Sequence, residues 1–127
     1  MKLNHVDLQV QDIHTASTFF ETHFGLRCAY TRRSEIAILE DDIGFSLGLS
    51  NLTGDNSAPH YPPDFHLGFV LEDAAQVEAQ HERMQKAGVP MKYDLRVGGP
   101  NLFFVCFGPD NIPIEVRAPQ AVKASAP

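Results

Sequence analysis

The alternation of apolar and polar residues predicts two similar segments, each a strand that leads into an amphipathic helix. Residues 5–12 (HVDLQVQD) and 66–73 (HLGFVLED) both begin with His and end with Asp. Beyond each Asp, apolar side chains recur every three to four residues, which is the period of a helix buried on one face. Each Asp is predicted to be an N-cap, and Gly25 and Gly88 are predicted to end the helices.

Three short extended runs follow each helix, so each half of the chain is predicted to be a βαβββ module. The strands are predicted at 27–33, 35–40 and 43–50 in the first half and at 91–97, 101–107 and 112–118 in the second. The matching order of elements indicates an internal duplication and an α+β fold.

The boundaries follow from where this periodicity stops. The modules are predicted at 1–50 and 64–118, with a linker at 51–63 that is rich in turn-forming residues. Residues 119–127 lack periodicity and are predicted to be a flexible tail. Together these segments are expected to form one domain.

Several residues that can take part in chemistry fall on the strand faces opposite the predicted core, because successive strand side chains point to opposite sides. His5, Asp7, His66 and Glu115 all fall on these faces. The small residues of the same faces are Gly44, Ser46, Gly48 and Gly68. Small residues in strands leave room above the sheet, so the pattern predicts a concave pocket.

Two imidazoles and one carboxylate form a donor set that suits a divalent first-row metal ion and leaves coordination positions open. His5, His66 and Glu115 are therefore predicted to be metal ligands, brought together by the duplication. The structural alternative is that both histidines are partly buried strand residues and that Glu115 lies on the rim of the sheet.

Other polar residues are weaker candidates for a part in catalysis or substrate binding. Asp7 could be a hydrogen-bond partner or a base near His5, or only a carboxylate at the rim. Arg96 and Arg117 could hold an anionic substrate group, although surface arginines are common. Tyr93 is predicted to pack in the core, and His60 is predicted to be an exposed linker residue.

Composition narrows the classes of function. The 127 residues are 43% hydrophobic and 20% charged, as in ordinary globular domains. The net charge of −6 and the lack of a basic cluster argue against nucleic acids and anionic membranes as partners. Without a membrane-length apolar run or a signal-peptide core, the protein is expected to be cytoplasmic, with Cys28 and Cys106 as reduced core thiols. A small-molecule substrate or ligand is the remaining expectation.

The chain resembles the vicinal oxygen chelate superfamily over residues 2–118. The resemblance rests on Leu3-Asn4-His5-Val6, on Asp12 followed by Phe19-Phe20 and Gly25-Leu26, on Phe65-His66-Leu67-Gly68-Phe69 and on the stretch FGPDNIPIEV at 107–116. The last stretch is close to the family's Asp-Pro-Asp turn and its following strand with a Glu ligand, with Gly108 in place of the first Asp. The resemblance implies paired βαβββ modules whose curved mixed sheets surround a central cavity with a metal centre.

The resemblance also implies how the site works. His5, His66 and Glu115 would hold a divalent ion (Fe, Mn, Ni, Co or Zn) that binds two adjacent substrate oxygens, with Glu115 as a catalytic carboxylate. Asp7, on the same strand face as His5, is the second predicted catalytic carboxylate. Glyoxalase I carries a fourth ligand on the strand that here carries Ser46, and a hydroxyl binds such an ion weakly. Ser46 is therefore assigned, with Arg96 and Arg117, to substrate binding, and glyoxalase I chemistry is disfavoured relative to dioxygenase, lyase or transferase chemistry.

Two functions remain open on this resemblance. The first is a metal-dependent enzyme, and the second is a metal-free binding protein of the bleomycin-resistance type. Members of the second type generally lack the histidines and the Glu, which favours the enzyme. Family pockets are commonly completed by modules of two chains, so a homodimer is expected.

Overall fold

The structure of the protein, a computed structural model, describes residues 1–120. The chain forms two compact units, of which the first ends at His60 and the second begins at Tyr61. The division falls inside the segment predicted to be a linker. Most of the predicted tail, residues 121–127, lies outside the described residues. No helix within residues 1–120 is long and apolar enough to cross a membrane.

The first unit is a βαβββ module with one four-stranded sheet. Its elements are β1 (His5–Gln9), α1 (Ile13–Phe24), β2 (Arg27–Arg32), β3 (Ile36–Glu40) and β4 (Ser46–Ser50). The strand order is β1-β4-β3-β2, in which β1 and β4 are parallel and the other neighbours are antiparallel. After β1, the helix α1 leads the chain to β2 at the far edge of the sheet. The strands β3 and β4 then return one place at a time, so the last strand lies beside the first.

The second unit repeats this arrangement. Its elements are β5 (Leu67–Val70), α2 (Ala74–Lys86), β6 (Met91–Gly98), β7 (Asn101–Phe107) and β8 (Pro113–Pro119), with a short 3₁₀ turn at Pro109–Asn111 before β8. The order β5-β8-β7-β6 matches the first sheet strand for strand, again with only the first pair parallel. Neither sheet closes on itself. The α+β fold of two βαβββ modules is confirmed.

The helix ends form as the sequence predicts. The carboxylates of Asp12 and Asp73 each accept the backbone N–H of the residue three positions later, at 2.9 Å. Gly25 and Gly88, just beyond the helices, have φ of +67° and +80°, values that glycine adopts without strain. These signals are local, so the sequence is sufficient to locate them.

Each unit buries one face of its sheet beneath its helix. The fully buried side chains include Phe20, Leu39 and Leu49 in the first unit and Val77, Met84, Phe104 and Ile114 in the second. They come from alternate strand positions and from one stripe of each helix, as apolar periodicity requires. The opposite sheet faces carry the candidate site residues.

Two expectations about exposure and one about a strand boundary are wrong. Cys28 is exposed, because it lies on the edge strand β2, in which every residue is exposed. Tyr93 is 42% exposed rather than packed in the core, because the register of β6 shifts on both sides of it. The predicted fourth strand begins at Ser46 rather than at 43. The Asp41 carboxylate accepts the N–H groups of both Ile43 and Phe45 and holds that segment in a turn.

Candidate functional site

In the second unit, the structure brings together two of the predicted metal ligands. The Nε2 atom of His66 lies 3.2 Å from Oε2 of Glu115. The side chain of His66, which directly precedes β5, is 50% exposed, whereas that of Glu115 on β8 is 19% exposed. The pair therefore joins a sheltered carboxylate to an imidazole that solvent or a ligand can reach.

The other ring nitrogen of His66 determines how this pair behaves. Nδ1 lies 3.0 Å from the backbone carbonyl oxygen of Asp64, which can only accept a hydrogen bond, so Nδ1 carries the proton. In the neutral ring, the Nε2 lone pair then points toward the Glu115 carboxylate. A ring nitrogen and a carboxylate oxygen therefore face each other, as two ligands of one cation would.

The spacing and chemistry of this pair fit a divalent ion. Two atoms that each bind one ion at about 2.1 Å lie roughly 3 Å apart when the ligand angle is near a right angle. Imidazole nitrogen and carboxylate oxygen are ligands for first-row divalent metals, and a carbonyl that holds Nδ1–H is a frequent support for a histidine ligand. Asp64, which the alternation pattern did not single out, supplies that support through its backbone.

The short segment before β5 holds His66 in place. The N–H of Phe65 donates to the Pro62 carbonyl at 3.0 Å, and the Phe65 ring stacks on Tyr61 with centroids 5.5 Å apart. Burial and the nearby carboxylate of Asp110 raise the pKa of Tyr61 to about 12, so the phenol is neutral at physiological pH. The Phe65–Pro62 hydrogen bond and the stacking on Tyr61 therefore stabilise the turn that precedes His66.

The surface next to Glu115 is open. In the parallel pairing of β5 with β8, Glu115 lies opposite Gly68. A Cβ atom added to Gly68 would meet no atom within 4 Å. The glycine therefore leaves space beside the carboxylate, in keeping with the predicted hollow face.

The third predicted ligand, His5, opens β1 in the first unit and is exposed. Its Nδ1 donates to the side-chain oxygen of Asn4 at 2.8 Å. As in His66, an oxygen acceptor engages Nδ1, which leaves the Nε2 lone pair for a ligand. Ser46 pairs with His5 across β1 and β4.

The strand registers change which residue of the first unit corresponds to Glu115. Glu115 pairs with the residue two positions after His66, and the residue that pairs two positions after His5 is Gly48, not Ser46. The expected correspondence of Ser46 with Glu115 is therefore wrong by two residues. A shift of two keeps every side chain on its own face, so alternation could not detect it.

Asp7 fills the space that Gly48 leaves. A Cβ atom added to Gly48 would lie 2.9 Å from Oδ1 of Asp7 and 3.3 Å from its Cγ. Asp7 pairs with Gly48 in the register of β1 and β4, and its side chain is exposed. The first unit thus has a carboxylate above Gly48, but that carboxylate belongs to the neighbouring strand.

The predicted arginines lie in one row across the second sheet. Arg96 pairs with Phe103, which in turn pairs with Arg117. The Arg96 guanidinium lies over the ring of Tyr93, 4.4 Å from its centroid. Exposure of Tyr93 thus gives Arg96 an aromatic contact, and Arg96 itself is exposed. Arg117 is exposed, two residues along β8 from Glu115.

Within residues 1–120, no three His, Cys, Asp or Glu side chains form a group that could hold a metal ion. The pair His66 and Glu115 comprises two of the three predicted donors. The predicted linker residue His60 is exposed.

Comparison with known proteins identifies the family. The model of the Glyoxalase/Bleomycin resistance protein/Dioxygenase superfamily matches residues 2–116. The chain belongs to this superfamily. A search of curated proteins found no significant match.

Solved structures support the assignment. A possible glyoxalase from Bacillus cereus is 31% identical to this superfamily member, with a TM-score of 0.79 over 91% of this chain and 97% of that one. A lactoylglutathione lyase from Agrobacterium tumefaciens is 18% identical, with a TM-score of 0.75 over 92% of each chain. A glyoxalase/dioxygenase from Nostoc punctiforme is 19% identical, with a TM-score of 0.75 over 93% of this chain and 90% of that one. The latter two show a shared fold.

Proposed function

We propose that this protein is a metal-dependent enzyme that binds a small molecule through two adjacent oxygens at a divalent ion held by His5, His66 and Glu115. The observation that carries the proposal is the approach of His66 Nε2 to Glu115 Oε2 at 3.2 Å, with Nδ1–H directed to a backbone carbonyl. This arrangement directs a ring nitrogen and a carboxylate oxygen, both of which are ligands for first-row divalent metals, toward one position.

When bound, the ion would supply a Lewis acid that polarises the substrate oxygens. The chain's own residues provide the rest of the chemistry. Glu115 and Asp7 are carboxylates that can orient a substrate hydroxyl or accept its proton. Arg96 and Arg117 would bind an anionic substrate group, and the Ser46 hydroxyl would hydrogen-bond to the substrate. Dioxygenase, lyase and transferase reactions all use such a site.

We infer that the working form is a homodimer in which His5 comes from a second copy of the chain. The predicted donor set has three members, and His66 and Glu115 are two of them, so the proposed site takes its third donor from His5. Within residues 1–120, β1, β2, β5 and β6 lie at sheet edges, and an exposed edge can pair with another chain. A symmetric dimer would use the same pairing twice and complete two sites.

The test is metal analysis of protein purified without chelator, followed by assays of Fe(II)-, Mn(II)-, Ni(II)- and Zn(II)-loaded samples. Oxygen uptake with catechols and isomerisation of the methylglyoxal–glutathione hemithioacetal would sample two reaction classes. We expect about one bound metal ion per chain and catalytic turnover that depends on the bound ion. A protein that retains no metal ion and binds an aromatic compound without turnover would instead be a binding protein of the bleomycin-resistance type.

A further inference from the structure

A β-turn lies directly before His66 and carries the carbonyl group that orients its ring. The N–H of Phe65 donates to the Pro62 carbonyl at 3.0 Å, so the two central residues of the turn are Pro63 and Asp64. Proline is favoured at the first central position, because its ring fixes φ at a value that the common turns require. The closing hydrogen bond uses neither central carbonyl, so both remain available to donors from outside the turn.

Two side chains contact these central carbonyls. Nδ1 of His66 lies 3.0 Å from the Asp64 carbonyl oxygen, and Nζ of Lys92 donates a hydrogen bond to the Pro63 carbonyl. The same ammonium lies 5.4 Å from the centroid of the Tyr93 ring. A cation is attracted to the face of an aromatic ring, so the ring and the carbonyl together hold the Lys92 side chain.

The contact made by Lys92 spans the second sheet. In the strand order β5-β8-β7-β6, the strands β5 and β6 are opposite edges. The turn precedes β5, whereas Lys92 is the second residue of β6. The hydrogen bond therefore ties the segment before one edge strand to the strand at the other edge. Hydrogen bonds within the turn cannot do this, because they move with the turn.

This tie affects how His66 meets Glu115. The residue after His66 is Leu67, which pairs with Ile114, so the sheet holds the backbone at this point. The ring can still rotate about its side-chain bonds. The contact of Nδ1 with the Asp64 carbonyl selects the rotation in which Nε2 lies 3.2 Å from the Glu115 carboxylate. That selection lasts only while the turn keeps its place against the sheet.

We propose that Lys92 is a positioning residue for His66. By holding the Pro63 carbonyl, Lys92 keeps the turn in place, and the next carbonyl of the turn then fixes the tautomer and orientation of the imidazole. The inference rests on the proposed function for its consequence, which is that the Nε2 lone pair is presented to the metal ion. Lys92 acts through the turn and supplies no ligand.

Two variants and a control test this role. Lys92→Met removes the ammonium and keeps an unbranched stem. Lys92→Arg keeps a charged donor and should restore the behaviour of the wild type. The matched control is Lys86→Met, because Lys86 is an exposed lysine of the same unit that pairs with Glu82 at 3.0 Å. Circular dichroism and urea denaturation would confirm that each variant folds.

The first measurement is the nitrogen NMR chemical shifts of the His66 ring in metal-free protein at alkaline pH, where imidazole is neutral. In the wild type we expect the ring proton on Nδ1. Lys92→Met should show a mixture of both tautomers, because the Asp64 carbonyl is no longer held in place. Lys92→Arg and Lys86→Met should keep the wild-type tautomer. A loss of stability alone does not move the proton, so these shifts separate positioning from a merely structural role.

The second measurement is calorimetric titration of each metal-free protein with Ni(II). We expect Lys92→Met to bind Ni(II) about tenfold more weakly, as the loss of support for a histidine ligand typically does. Lys92→Arg and Lys86→Met should bind as the wild type does.

An unchanged tautomer in folded Lys92→Met would overturn the inference, whatever the stability of the variant. His66→Ala, titrated in parallel with Ni(II), tests the proposed function separately. Wild-type affinity in His66→Ala would refute the proposed metal site. The tautomer in Lys92→Met would still report whether Lys92 positions the ring, because that measurement uses no metal ion.

Discussion

The two cysteines, Cys106 and Cys28, differ in their exposure to solvent. Cys106 is completely buried on β7, whereas Cys28 is exposed on β2. Burial raises the pKa of the Cys106 thiol to about 12, because the thiolate would lose its hydration. The thiolate is the reactive form of cysteine, so only Cys28 is available to reagents at neutral pH.

We therefore expect one thiol to react with a disulfide reagent in the native protein at pH 8 and two to react after denaturation. Cys28→Ser should abolish the native reaction and leave one thiol that reacts after denaturation. The measurement is absorbance of the released thiolate over time. Rapid reaction of both thiols in the folded protein would contradict the burial of Cys106.

The exposure of single residues could be predicted only where the strand is regular. Alternation correctly placed His66 and Gly68 on the exposed face of their strand region. It failed at Tyr93, where bulges on both sides of the residue change the face. Cys28, expected in the core because a cytoplasmic protein keeps its thiols reduced, lies on a fully exposed edge strand. Bulges and edges depend on pairing between strands, which the local sequence does not specify.

At the scale of secondary structure, the helix caps and glycine stops are local signals, and they locate both helices. Strand pairing involves residues far apart in sequence, so the predicted strands were right in order but lacked their registers. The two-residue shift that replaces Ser46 with Gly48 as the counterpart of Glu115 is such a register effect.

The cap of α2 provides a test at this scale. The Asp73 carboxylate accepts the Gln76 N–H at 2.9 Å, and Asp73→Ala leaves this N–H without its side-chain partner. We expect the free energy of unfolding to fall by about 1 kcal/mol. Asp73→Asn, which retains an acceptor oxygen, should lose much less. Urea denaturation would measure both, and equal stability of Asp73→Ala and the wild type would contradict the assigned cap.

At the scale of the whole molecule, the two units share one topology. Duplication explains why the predicted ligands recur at matched strand positions. It also explains why sequence could indicate the donor types while leaving open which chain supplies each donor. That question depends on assembly, which strand periodicity does not report.

Mixing inactive variants tests whether the site is shared between chains. His5→Ala and His66→Ala each remove one predicted ligand, and neither homodimer should bind a metal ion tightly. If His5 comes from the second chain, then co-refolded mixtures should recover about a quarter of the wild-type sites, because each mixed dimer holds one intact set. Sedimentation should give twice the mass of one chain. A monomer, or a mixture without recovered sites, would refute the shared site.

The most direct test of the metal site compares His66→Ala with His60→Ala after dialysis. His66 contacts Glu115 at 3.2 Å, whereas His60 is an exposed residue of the segment that follows β4 and precedes β5 in the sequence. Each protein would be loaded with Ni(II), dialysed against metal-free buffer and analysed for bound metal per chain. We expect retention near one ion per chain in the wild type and His60→Ala, and loss of most of the bound metal in His66→Ala. Equal retention by the two variants would contradict the assignment of His66 and Glu115 as the metal centre.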